Sequence, residues 1–128
     1  MFKINDDKSI YLTRGDIASI DVSAMKPNGE LYTFVEGDVV RLKVFEKKDC
    51  NEVVLVKDVS VGVVRDTVHI ALTSEETKIG EVISKPKNYW YEIELNPETT
   101  PQTIVGYDDD GAKIFRLFPE GSDQEWQI

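Results

Sequence analysis

The chain has 128 residues, enough for one domain that buries roughly two-thirds of its unfolded surface and folds without staples. Its formal charge is −9, and −7 of that lies between Glu92 and Ile128, where nine acids face only Lys113 and Arg116; nucleic acid and anionic membranes are excluded as partners of that end. A single cysteine, Cys50, excludes an internal disulfide, a redox pair or a zinc knuckle, and fits a reducing compartment.

The lead Met1 to Asp7 turns polar at once, and no apolar run has signal-peptide or membrane-span length, so the protein is expected to be made in the cytoplasm and to stay off membranes. Residues 1–128 read as one domain, with 1–9 and 120–128 as ends expected to fray. Ile10 to Thr13 reads as a first short strand, broken by Arg14-Gly15-Asp16. Ile17 to Met25 follows as a second, with Ala18, Ile20, Val22 and Ala24 inward and Ser19, Asp21 and Ser23 outward. Pro27-Asn28-Gly29 is a tight-turn signature. Val39 to Glu46 alternates again, Val40, Leu42 and Val44 against Arg41 and Lys43. Val53 to Val64 has apolar residues on both parities, which predicts two short strands or one with a bulge. Thr67 to Leu72 alternates with Val68, Ile70 and Leu72 inward.

Thr73-Ser74-Glu75-Glu76 spells a capping box: the Thr73 hydroxyl accepts from the Glu76 amide, and the Glu76 carboxylate reaches back to the Thr73 amide. The helix it opens has only one or two turns before Gly80, a C-terminal stop. Tyr89 to Leu95 is then predicted as the central core strand. Tyr89, Tyr91, Ile93 and Leu95 point one way; Trp90, Glu92 and Glu94 point the other. Trp90 is either a shielded side chain or an anchor for a partner. Thr103 to Tyr107 forms a further strand, Asp108-Asp109-Asp110-Gly111 a hairpin turn, and Ala112 to Phe118 a last strand with apolar residues on both parities. The whole predicts an all-β, immunoglobulin-like β-sandwich of seven to nine short strands with one short helical turn.

Chemistry is sparse. Arg14-Gly15-Asp16 matches the integrin-recognition tripeptide but sits between strands, where Gly15 serves a bend. The aspartate run lacks the twelve-residue spacing of a calcium loop. His69 is the one histidine and has no triad partners placed by motif, and Glu92 with Glu94 share a strand face without a cleft to make them a glycosidase pair. No catalytic, cofactor or metal residues are predicted, and an enzyme is not expected. The residues that invite a partner are Trp90, Glu92, Glu94 and, in the tail, Trp126.

Taken in order, Arg14-Gly15-Asp16 leading a strand, Pro27-Asn28-Gly29, Val40 to Phe45, Ile70-Ala71-Leu72-Thr73-Ser74-Glu75-Glu76-Thr77, Tyr89-Trp90-Tyr91-Glu92-Ile93 and Thr103-Ile104-Val105-Gly106 resemble the immunoglobulin-like module of phage and prophage tail proteins. Its best-known form is the N-terminal domain of upper baseplate proteins in siphophages of Gram-positive bacteria. The likeness covers Ile10 to about Tyr107; the loop Glu81 to Lys87 and the acidic hairpin with Phe115 to Pro119 depart from it. The resemblance implies a non-enzymatic structural part of a virion, made in the bacterial cytoplasm, that docks to other tail or baseplate proteins, in several copies or as a homo-oligomer. The alternative from another class is a carbohydrate-binding or adhesive sandwich with Trp90, Trp126 or Tyr107 as stacking platforms.

Overall fold

The computed structural model describes residues 1–49, 52–108 and 111–121. The fold is all-β. Nine strands follow in chain order: β1 (Phe2–Ile4), β2 (Ile10–Thr13), β3 (Ala18–Val22), β4 (Val39–Phe45), β5 (Val53–Ser60), β6 (Val68–Leu72), β7 (Lys87–Leu95), β8 (Gln102–Val105) and β9 (Lys113–Phe118). They make a sandwich of unequal layers: a seven-stranded sheet in the order β1-β2-β9-β7-β4-β5, with β8 also on β7, and a two-stranded sheet of β3 and β6.

The period-two pattern of β7 decides its place. Tyr89, Tyr91, Ile93 and Leu95 are buried while Trp90, Glu92 and Glu94 are half-buried on the opposite face. One edge of β7 pairs antiparallel with β4. The other edge is shared: β9 takes Lys87 to Tyr91, and β8 takes Ile93 to Leu95. The strand predicted to be central therefore carries three partners. Its inner residues meet Val40, Leu42 and Val44 of β4 and Phe115 and Leu117 of β9, and this layer closes on Ile20, Val22, Val68 and Ile70 from the smaller sheet. Fully burying each such side chain is worth about 1.5–3 kcal/mol, which makes this apolar layer the main stabilising term.

Several expectations hold in detail. β3 and β6 bury the predicted parity and expose Ser19, Asp21 and His69. β5 is one strand, and the irregularity falls opposite Val44 and Phe45, where Val53 and Leu55 face neighbouring residues of β4. Pro27-Asn28-Gly29 turns the chain with Gly29 at φ 87° and its amide on the Lys26 carbonyl at 2.9 Å. Both capping-box bonds form, Glu76 amide to Thr73 Oγ1 at 3.2 Å and Thr73 amide to Glu76 Oε1 at 3.0 Å. The turn they open covers Ser74 to Thr77 and stops there; it is not a helix.

Three features differ from expectation. The first nine residues carry β1, which folds back antiparallel on β2, so this lead is a sheet edge. β2 then runs parallel to β9, tying the two ends of the chain together. The aspartate turn does not join a hairpin of neighbours: β8 and β9 lie end to end along the same side of β7, and Asp108 and Gly111 close the excursion between them through Gly111 amide to Asp108 carbonyl at 2.9 Å.

Candidate functional site

The Arg14-Gly15-Asp16 tripeptide is an internal joint. Arg14 is only 8% exposed. Its guanidinium donates to the carbonyls of Ile79 at 3.2 Å and Gly80 at 2.9 Å, and forms an ion pair with Glu120 at 2.8 Å. Gly15, at φ 90°, donates its amide to Thr77 Oγ1 at 3.1 Å and accepts from Ser74 Oγ at 2.6 Å. Thr77, fully buried, passes its hydroxyl to the Asp16 carbonyl at 2.7 Å. The motif thus docks onto the capped turn, satisfying its last carbonyls, and an integrin could not reach Arg14. A side chain at Gly15 would also strike the Glu120 carboxylate, 2.8 Å from where its Cβ would stand.

The other sequence candidates are no better assembled. His69 and Asp21 form an exposed pair across β3 and β6, Nδ1 to Oδ1 at 2.5 Å, on the solvent side of the two-stranded sheet. Asp108 takes the largely buried ammonium of Lys113 at 2.8 Å, while Asp109 and Asp110 lie outside the described residues. Among the described residues no three His, Cys, Asp or Glu side chains gather in a way that could hold a metal ion. No helix among them is long and apolar enough to cross a membrane.

The candidate site is the outer face of the large sheet, over which no further sheet lies among the described residues. In register across three strands, Phe45 of β4 stands beside Trp90 of β7, and Trp90 beside Ile114 of β9. Phe45 has the outward parity of Arg41 and Lys43 but is only 4% exposed, so the half-buried Trp90 and Ile114 are the parts of the row that a partner can reach. Four residues further along β9, away from the row, the Phe118 ring meets Tyr11 of β2 edge-on at 5.6 Å and the Arg116 guanidinium at 5.7 Å. An apolar row bordered by charges on a sheet face is the anatomy of a protein-binding patch.

Next to the row stand the acids. Lys43 reaches diagonally to Glu94, Nζ to Oε1 at 3.1 Å, and Arg41 forks onto Asp58 at 2.7 Å and also reaches Glu98 at 3.0 Å. Glu92 has neither an ion-pair nor a hydrogen-bond partner among the described residues. Burial first, and then the charge of Glu94, push its carboxyl above the usual range against a smaller opposing pull from Lys43. Because the folded value is raised, Glu92 favours the folded state fully only below its unfolded value, and that contribution is lost as pH rises through the folded one. Glu92→Gln is therefore expected to raise the melting temperature at pH 7 in dilute protein, with the gain closing below about pH 4. Parallel melts of both proteins from pH 3 to pH 8 measure this; an unchanged or lowered melting temperature at pH 7 would contradict the assignment.

Of the four predicted interface residues, the structure brings Trp90, Glu92 and Glu94 onto this one face; Trp126 lies outside the described residues. Sequence reasoning missed Phe45, Ile114 and Arg116. The mixed parity of Ile114 to Phe118 was the available signal, since a strand apolar on both sides has something to cover on each. Compared with protein families, curated proteins and solved structures, the chain matches none.

Proposed function

We propose that this protein is a non-enzymatic assembly module of phage or prophage tails or baseplates, a virion component that docks to neighbouring subunits through the outer face of its large sheet. The observation that carries the reading is the Phe45–Trp90–Ile114 row, aligned by the register of three strands on the outer face of the large sheet, with Trp90 and Ile114 half-exposed and charges at its border. The strand arrangement supports the immunoglobulin-like side of the resemblance: β3 pairs with β6 in one layer, β9, β7, β4 and β5 follow one another in the other, and the first core strand β2 runs parallel to the last.

Mass spectrometry of particles and assembly intermediates after prophage induction tests the proposal. The wild-type chain is expected in one or both, and a folded Trp90→Asp variant is expected to be depleted by about tenfold or more, the scale of one lost hot-spot residue. Absence of the wild type from both would sink the reading. The carbohydrate-binding alternative is favoured by Tyr107, 75% exposed beyond β8. A glycan-array signal abolished by Tyr107→Ala, with particles lacking the protein, would turn the assignment that way.

A further inference from the structure

Among the described residues, two half-buried charges on the outer face have no ion-pair partner. Glu92 is one: the cations around it, Lys43 and Arg41, are engaged with Glu94, Asp58 and Glu98. Arg116 is the other, stacked at 5.7 Å from the Phe118 ring with no carboxylate in ion-pair range among the described residues. Their positions are related. Glu92 lies two residues beyond Trp90 along β7, and Arg116 is in register with Asn88, two residues before it. The unpaired acid and the unpaired base thus flank the Phe45–Trp90–Ile114 row at equal and opposite offsets along the strands, one strand spacing apart laterally, about 4.8 Å.

We infer that the occupant of this face is a second copy of the chain, paired face to face about a two-fold axis lying along the Phe45–Trp90–Ile114 row. Such an axis reverses the strand direction and keeps the lateral position. Glu92 of each copy then comes over the Arg116 row of the other, and each Trp90 meets its symmetry mate. An isologous contact forms every such pair twice. Leaving a half-buried charge unpaired is costly, and a mutual pair relieves two such costs per copy at once. An unlike partner would satisfy these charges wherever they stood. A like copy accounts for opposite signs at mirrored offsets from one apolar row, since the same surface must complement itself. The inference rests on reading this face as a docking surface and adds the identity of what docks.

Sedimentation velocity and light scattering on the full chain, from about 1 to about 200 µM, test it across the range in which micromolar association shows as a doubling of mass. The wild type is expected to double its mass with concentration, less so at high salt. Glu92→Arg and Arg116→Glu are each expected to weaken association by about tenfold or more, and the double variant to restore it to within about threefold. Thermal melts verify folding; should Glu92→Arg fail to fold, Arg116→Glu reads the same contact from another strand. A wild type that stays monomeric throughout, or a dimer indifferent to both charge reversals, overturns the self-pairing. Loss of the Trp90→Asp variant from particles, beside a monomeric wild type, would keep the docking face and assign it to an unlike subunit.

Discussion

Tyr91→Ala is expected to lower the free energy of unfolding by about 3–5 kcal/mol, the range for deleting a buried aromatic ring, whereas Glu92→Ala next to it should change it by no more than about 0.5 kcal/mol. Tyr91 is 4% exposed, meets Phe115 edge-on at 6.4 Å, and donates its hydroxyl to the Lys8 carbonyl at 2.5 Å. Its loss opens a cavity between the layers and also leaves the turn between β1 and β2 without its hydrogen bond to the core. Burial, with a smaller contribution from the Asp7 charge, pushes the phenol above its usual range. Denaturant melts of both variants decide the face assignment; equal small losses would mean that β7 is inside out.

The second large effect falls on a charged residue. Arg14→Met keeps an unbranched apolar stem but removes the donors that serve the carbonyls of Ile79 and Gly80 and the counter-ion of Glu120. The buried Ile79 carbonyl and the part-buried Gly80 carbonyl lose a charged partner, which sets the cost at about 3 kcal/mol. Thr77→Val, nearly isosteric, should cost about 1–2 kcal/mol by stranding the Gly15 amide and the Asp16 carbonyl. Because both act on one joint, the double variant should cost less than the sum of the two. Strict additivity in urea melts would show that Arg14 and Thr77 hold separate structures.

These two predictions mark what could be read from the chain. Wherever a strand has one wet face, alternation alone places its residues, as in β3, β4, β6 and β7, because a register slip by one would bury Ser19 or Glu94 and expose Ile20 or Leu95. The capping box was equally legible, since its bonds span only three residues. Long-range facts were not. The parallel pairing of β2 with β9 depends on two segments about a hundred residues apart, and neither carries a mark of the other. Arg14 was read only as part of a bend between two strands; that it is buried and paired was not legible, because its partners, the carbonyls of Ile79 and Gly80 and the Glu120 carboxylate, come from the middle and the end of the chain. The docking face was half visible: Trp90, Glu92 and Glu94 share a strand, but Phe45, Ile114 and Arg116 join them only through the register of the neighbouring strands.

The end-to-end arrangement of β8 and β9 also bears on how this domain tolerates change. Each segment holds its own register against β7, and the ends of the excursion, Asp108 and Gly111, are tied to each other. Extra residues placed between them lengthen a loop without shifting a ladder, and each doubling of such a loop costs only about 0.6 kcal/mol. Residues inserted between Asp108 and Gly111 are therefore expected to leave the melting temperature and the sheet face bearing Trp90 nearly unchanged, which thermal melts of an insertion variant check.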